Sequence, residues 1–458
     1  MIPIEKISSS TVATLMLYIS ILGLLLVVAS IIRLKVSWLR RAFIPASLLA
    51  GIMGMILGPH ILNVIPADMM ATVGTLPGQL ITVVFACMLL GVKRTDSGKS
   101  LFHDTVSGLG WLWSCSFMQV GVACLLCAFI FVPLFDINPL FGSLFEIGFA
   151  GGHGTAGGMS AVFIEAFNWP DGADLGMTTA TIGLLSGIFF GMIIINYGVR
   201  KKYTKVLTEV VSSNDQVEIL TDENKEASSY ATINQDVVEP FAFHLGIIGI
   251  SILIGRLIVW GFSEITGYSG LPLFPFAMIG GWIINTIIQR TKYAVLLDRA
   301  TFQRIQGMAL EIVIVSAMAS IKIPVVLEYW APLLIGSVVI LLLMLVWVFW
   351  LSPRVFNDCW FEQAIIRYGA FTGVAAVGYM LLRTADPKME TDAGTIYALG
   401  GPLMSPFIGG GLVTTAYPYI IDKFGVFNTG LIFIGLMLAV LLVLRMFFWN
   451  KNFKMEQQ

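Results

Sequence analysis

Charge is what this 458-residue sequence has least of. Only 12% of its residues are Asp, Glu, Lys or Arg, against 57% hydrophobic, whereas soluble domains carry roughly 25% charge. A water-soluble fold of this length could not cover its surface with so few charges, which excludes a string of soluble domains. The net charge of −1 leaves no basic surface for nucleic acid. Cysteine is sparse as well, and Cys87, Cys115, Cys124 and Cys127 sit inside apolar runs, so a disulfide scaffold is excluded. Cys124 and Cys127 form a C-x-x-C one helical turn apart without a second pair, a poor basis for a metal or redox site. With four His and neither H-E-x-x-H nor G-x-S-x-G, hydrolytic catalysis finds no support, and the chain reads as a non-enzyme without a resident metal or cofactor.

What the sequence does contain is apolar residues in blocks of about twenty, with a mean hydropathy of +0.85. This implies an all-α polytopic membrane protein, because only helices and closed barrels satisfy their backbone polar groups in lipid. The first run, 11–32, is long enough to cross ~30 Å of hydrocarbon. Only Lys6 precedes it, while Arg33, Lys35, Arg40 and Arg41 follow, so it reads as a retained helix with its N-terminus outside. Further runs fall at about 42–58, 72–91, 105–132, 140–164, 176–198, 241–262, 271–288, 305–321, 331–351, 364–382, 394–421 and 425–448.

If every run crossed, Arg200, Lys201 and Lys202 would face outward, as would the loop carrying Arg290, Lys292, Arg299 and Arg304. The conflict disappears if 140–164 enters and leaves on the outer side and 364–382 on the cytoplasmic side. Eleven full spans and two re-entrant hairpins then remain. All but four of the 27 basic residues lie inside; Lys6, Lys322 and Lys423 fall outside and Arg256 within a span. The C-terminus is cytoplasmic in this arrangement. The hydrophilic 199–240 stretch reads as a flexible cytoplasmic linker.

The parts on either side of the linker look related. Pro45, Ala50, Ile52, Gly54 and Ile56 are matched 227 residues later by Pro272, Ala277, Ile279, Gly281 and Ile283. Gly148, Gly152, Gly157 and Met159 are matched 221 residues later by Gly369, Gly373, Gly378 and Met380. The expected organisation is a first five-span repeat over 1–198, the linker 199–240, an inverted second five-span repeat over 241–421, and an extra C-terminal helix and tail over 422–458. Inverted repeats with broken helices are characteristic of secondary transporters.

Chemistry is expected at the hairpins. Residues 148–160 (GFAGGHGTAGGMS) are too rich in Gly for a lipid-facing helix, at roughly 1 kcal/mol per Gly relative to Ala. A hairpin tip that exposes N–H and C=O groups would instead use them. Free amides of Gly151, Gly152, His153, Gly154 and Thr155 suit a carboxylate, while carbonyls and the Thr155 hydroxyl suit Na⁺. His153 either binds ligand or fixes the tip. Thr178, Thr179 and Thr181 either complete a Na⁺ site or bond to their own helix. In the second hairpin the candidates are Gly369, Thr372 and Gly373. Arg367 and Arg383 could pair with a substrate carboxylate, although snorkelling to the cytoplasmic surface is the commoner behaviour. Glu311, inside run 305–321, forms either a structural pair with Arg256 or an H⁺-coupling site.

At the Gly-rich tip the sequence resembles the sodium/glutamate symporter family. The likeness is carried by 150–155 (AGGHGT), by Phe163-Ile164-Glu165, and by Thr179-Ala180-Thr181-Ile182-Gly183-Leu184. Ile44-Pro45 with Ala50-Gly51 adds to it, and Leu271-Pro272 and 318–323 extend it over most of 38–420. The resemblance implies two inverted repeats with re-entrant hairpins, Na⁺-driven uptake of L-glutamate, and homodimers with a mobile transport domain in a cell membrane. The second hairpin departs from the family, with Arg367 near the place of a His and fewer Gly; Glu311 stands where the family has a small polar residue. Two alternatives accompany this expectation: an H⁺-coupled organic-anion transporter, and a non-transporting membrane sensor or scaffold.

Overall fold

The computed structural model describes residues 9–41, 44–92, 99–206, 227, 229–266, 271–386 and 390–449. The middle of the expected linker, 207–226, lies outside them. Among the described residues all regular structure is helical. The chain begins α1 (Ser9–Lys35), α2 (Ser37–Arg41), α3 (Ala46–Leu57), α4 (Ala67–Val73), α5 (Leu76–Met88) and α6 (Lys99–Leu126). A π-helical turn (Cys127–Phe131), α7 (Val132–Phe135), a 3-10 turn (Pro139–Ser143), α8 (Leu144–Phe149), α9 (Gly152–Ala161) and α10 (Asp171–Arg200) follow. After the linker come α11 (Pro240–Thr266), α12 (Leu273–Gln289), α13 (Arg299–Ala319), α14 (Ile323–Glu328) and α15 (Trp330–Val346). Another π turn (Trp347–Leu351) leads into α16 (Ser352–Val355), α17 (Trp360–Ala385), α18 (Ala393–Met404), α19 (Leu412–Phe424) and α20 (Val426–Phe447).

Eight of these stretches are long and apolar enough to cross a bilayer. In α1 only Leu22, Leu25 and Ala29 are buried, whereas Met16, Leu24 and Val27 are more than half exposed. Water would penalise such a surface and lipid does not. The chain is a polytopic membrane protein.

Several expected spans take another form. Run 42–58 yields the 12-residue α3 and run 271–288 the 17-residue α12. Run 394–421, expected as one span, is two helices separated by 405–411, where Gly409 and Gly410 adopt φ of +68° and +106°. The apolar period there is interrupted by Pro406 and three consecutive Gly, which no helix interior favours. The seventh candidate, α17, is not one rod. Gly373 (φ −142°, ψ 37°) and Val374 (φ 62°, ψ 170°) leave the helical region. A Cβ placed on Gly369 would lie 2.7 Å from Gly378 Cα, whereas nine residues of straight helix span ~13.5 Å. The two arms therefore lie side by side as a hairpin.

The order of elements recurs across the linker. α3 and α12 both begin after a proline in extended conformation, Pro45 (ψ 145°) and Pro272 (ψ 140°). Of the three π turns, those at Cys127–Phe131 and Trp347–Leu351 are each followed by a proline, Pro133 or Pro353, whereas the third, Val162–Ala166, ends α9. The cause is shared: a proline ring crowds the carbonyl four residues back, and the wider turn relieves it. The hairpin breaks at Gly152 and Gly373 stand at the offset of 221 read from the sequence.

Packing divides the chain into two compact units, neither of which is a sequential half. The first comprises Met1–Arg94, Gly157–Ala173 and Ser213–Ile323. Within it α3 lies against α13, with Gly54 facing Ala319 Cβ, over a core of Leu22, Leu25, Val73 and Val315. The end of α5 is closed by Arg299, whose Nη1 donates to the carbonyls of Cys87 (2.9 Å) and Leu90 (2.8 Å). The second comprises Thr95–Ala156, Asp174–Ser212 and Pro324–Gln458. There two tryptophans lock α6 to the π turn after α15: Trp111 Nε1 donates to Ser352 Oγ (2.9 Å) and Trp347 Nε1 to Ser114 Oγ (2.9 Å). The candidate site lies wholly in this second unit.

Candidate functional site

Three helix breaks meet inside the second unit. The first follows α8, where the amides of Ala150 and Gly151 both turn back to the Glu146 carbonyl (3.0 and 3.1 Å). Gly152 then takes φ +67° and starts α9. The second is the Gly373–Val374 turn of α17, and the third is the 405–411 segment between α18 and α19. A Cβ on Gly152 would collide with Val374 Cγ1 and sit 3.7 Å from Val374 Cβ, so the first two tips touch. A Cβ on Gly409 would lie 3.5 Å from the Ala150 carbonyl oxygen, which brings the third break to the first. Each break leaves amides and carbonyls outside the helical ladder.

α10 lines this junction through its glycines. A side chain at Gly183 would strike the Thr372 carbonyl, and one at Gly187 would strike the Thr372 hydroxyl. The four-residue spacing of Gly183, Gly187 and Gly191 puts them on one face, which allows close backbone approach.

Within this frame, Gly151, His153, Gly154 and Thr155 flank the first break, with His153 and Thr155 buried. His153 Nε2 lies 3.0 Å from Thr181 Oγ1, and Thr181 donates its own proton to the Met177 carbonyl (3.0 Å). Thr181 must then accept, so the network places the proton on Nε2 of His153 and gives the ring a positioning role. Thr178 donates to the Asp174 carbonyl (2.8 Å), and Thr179 to those of Gly176 (2.8 Å) and Leu144 (3.1 Å). Thr372 donates to the Tyr368 carbonyl (2.9 Å). These hydroxyls have spent their protons on backbone and keep only lone pairs for a cation. Thr155 differs. Its Oγ1 is buried with no hydrogen-bond partner among the described residues. Gly369 packs between the arms of α17, and Gly373 forms the turn itself.

Arg367 does not snorkel. It is 1% exposed; its Nη1 donates to the Gln363 carbonyl (2.9 Å) and Oε1 (3.2 Å), and its guanidinium lies 4.5 Å from the Phe356 ring centre. Nε is buried without a partner, and no ion pair to Arg367 occurs among the described residues. The helical position turned it inward, over Gly108 of α6. Arg383 is exposed. The Arg256–Glu311 pair is not formed: both side chains are exposed on α11 and α13, and no ion pair joins them. The helix positions turn both side chains to the outside of their unit, so neither is buried against the other.

Sequence reasoning missed the third break, Glu146 beside it and Gln119 beside the second. Residues 400–411 (GGPLMSPFIGGG) show the same Gly/Pro density that marked 148–160. Glu146, inside run 140–164, was the other visible signal. It is fully buried, and its Oε1 accepts from Ser116 (2.9 Å), Thr414 (3.1 Å) and the Gly409 amide (3.3 Å). Gln119 of α6 donates to the Phe371 carbonyl (2.9 Å) one residue before Thr372 and leaves its own oxygen unpartnered.

No curated protein matches the chain. The sodium/glutamate symporter family model matches residues 7–373, well over half of the sequence, and closes at the second break. On that match, and with a polytopic helical fold, the chain belongs to the sodium/glutamate symporter family.

Proposed function

We propose that the chain is a secondary active transporter that couples Na⁺ to the uptake of L-glutamate, or a similar small anionic solute, by alternating access. The observation that carries this reading is the convergence of three helix breaks near buried polar atoms that lack partners among the described residues, Thr155 Oγ1 at the first break and Gln119 Oε1 beside the second. Irregular backbone at membrane depth is tolerated where it binds something. The amides of Gly152, His153, Gly154 and Thr155 open α9 and suit a carboxylate. Arg367 supplies a fixed positive charge on the arm leading to the second break, for a second carboxylate. The Thr155 hydroxyl and the carbonyls ending the α8 arm suit Na⁺, with the lone pairs of Thr178, Thr179 and Thr372 as further donors. Gly369 and Gly373 let the second tip reach this junction.

The reading places two inverted five-span repeats, 1–198 and 241–421, about the cytoplasmic linker 199–240, with 422–458 as an added helix and tail. It sets the N-terminus outside and the C-terminus in the cytoplasm of a cell membrane, and the protein as a homodimer. The recurrence of prolines, π turns and breaks across the linker supports the repeat. Single cysteines at Ser9 and Ser213 should label from opposite sides; labelling of both from one side sinks the topology. The decisive experiment is a solute panel in proteoliposomes under imposed Na⁺ or H⁺ gradients. Glutamate uptake that follows the Na⁺ gradient supports the proposal, and indifference to Na⁺ overturns it.

A further inference from the structure

The least expected group in the second unit is the Glu146 carboxylate. It lies in the first turn of α8, is fully buried, and is bonded in a lopsided way. Oε1 receives Ser116, Thr414 and the Gly409 amide, and two of these donors are themselves backed up. Tyr417 OH lies 2.9 Å from Ser116 Oγ, and the Gly410 amide donates to Thr414 Oγ1 (3.2 Å). Oε2 is equally buried and has no partner among the described residues. An ionised carboxylate spreads its charge over both oxygens, so donors gathered on one oxygen leave the other costly to bury. A neutral carboxyl removes the buried charge, with Oε1 as carbonyl acceptor and the proton on Oε2, whose O–H is a neutral donor and less costly to leave unpaired than half of a carboxylate's charge.

We propose that Glu146 is an exchangeable proton site of this protein, contacting the third helix break through Oε1 and taking up H⁺ on Oε2. The titratable groups facing it are Cys115 of α6 and Tyr417 of α19. From α8 itself, the 3-10 turn before it, α10, α17 (which carries Arg367) and the 405–411 turn it meets no Lys, Arg or His within ion-pair distance among the described residues. Charge-assisted hydrogen bonds are about twice as strong as neutral ones. Deprotonation therefore tightens the grip of α8 on the Gly409 turn and on α19, and protonation loosens it. Proton occupancy is thereby tied to the contact between the first and third breaks, where solute is read to bind. Glu311, exposed on α13, has no comparable link.

The inference rests on the transport reading only for its coupling arm, and the test separates the two. Infrared difference titration of the purified full-length protein should show a protonated-carboxyl band that grows with acid and is absent from Glu146→Gln. Ser116→Ala, which removes one donor to the ionised form, should move the midpoint of that band upward in pH; this variant also decides the matter if Glu146→Gln does not fold. In proteoliposomes with equal Na⁺ on both sides, an acid-outside gradient should drive solute accumulation by wild type, and Glu146→Gln should lower it at least tenfold. Identical bands in wild type and Glu146→Gln overturn the site. So does a carboxylate that responds to Na⁺ and not to pH, which makes it a sodium ligand instead. If no solute moves under any gradient, the transport reading fails, while the infrared titration still decides Glu146.

Discussion

Replacing Gly152 with alanine adds one methyl group at the point where two hairpin tips touch. At φ +67° a residue with a Cβ pays roughly 1–2 kcal/mol relative to glycine. The new Cβ also meets Val374 Cγ1, and turning the valine off its preferred rotamer costs a further ~0.5–1.5 kcal/mol. Together these amount to about 2–3 kcal/mol against the observed tip geometry, or roughly a 30- to 150-fold fall in its population. The tip can relax locally, so yield and thermal midpoint should stay near wild type while initial uptake rates in proteoliposomes drop by that factor. Val374 offers an internal control. Its own φ 62°, ψ 170° lies in a region tolerated essentially by glycine alone, at a cost of about 1–3 kcal/mol. Val374→Gly removes that strain together with the colliding methyls. The Gly152→Ala/Val374→Gly double variant should therefore recover the steric part of the loss, about tenfold, and show clear coupling in a double-mutant cycle. Wild-type uptake by Gly152→Ala alone would refute the reasoning.

Four other expectations follow from the same junction. Gly152→Cys with Val374→Cys should form a disulfide and arrest uptake until reduced, because the Cβ–Cβ distance of 3.7 Å matches disulfide geometry; no crosslink under mild oxidation would mean that the tips do not meet. Thr155→Val should leave the thermal midpoint unchanged or raise it, since an unpartnered buried hydroxyl costs about 1–3 kcal/mol, while Na⁺ activation of uptake weakens; unchanged Na⁺ dependence would remove Thr155 from the ion site. Gly187→Ala should cost roughly 1–3 kcal/mol of stability by overpacking α10 against Thr372, seen as a lower unfolding midpoint. Just beyond the C-terminal end of α10, the Lys205 hydrogen bond (2.6–2.7 Å) holds the Asp358 carboxyl below the usual carboxylate range. That contact contributes at pH 7 and is lost as pH falls through the lowered value, so Asp358→Asn should cost a little stability at pH 7, under about 1 kcal/mol for so exposed a pair, and none once the wild-type carboxyl is protonated; an equal loss at both pH values contradicts this.

The hairpins were legible from loop charge, which set 140–164 and 364–382 apart, and the first also from composition. Six glycines in thirteen residues at 148–160 are incompatible with a lipid-facing helix, and the matched Gly373 located the second break, although only the structure showed that Val374, a β-branched residue, carries the strained dihedral. The same composition rule applied to 405–411 would have found the third break, but the run containing it is apolar on both sides and long enough to pass for one span. Arg367 shows a different limit. A sequence gives distance from the membrane surface, which made snorkelling the natural reading, yet the side chain turns inward onto Gln363 and Phe356 because Gly108 makes room for it.

The sequence by itself determined that this chain lives in a membrane, that it is helical, where its helices break in the hairpins, and to which family it is related. These properties are local: hydropathy over twenty residues, the cost of glycine within a helix, and the restricted angles at proline all act within a few turns of chain. Only tertiary structure decided that compact units cut across the sequential halves, that three breaks meet at Gly152, Val374 and Gly409, that Arg256 and Glu311 stand apart, and that Glu146 is buried with one oxygen unsatisfied. Those outcomes depend on which residues, hundreds of positions apart, exclude water from one another, and no local pattern encodes that.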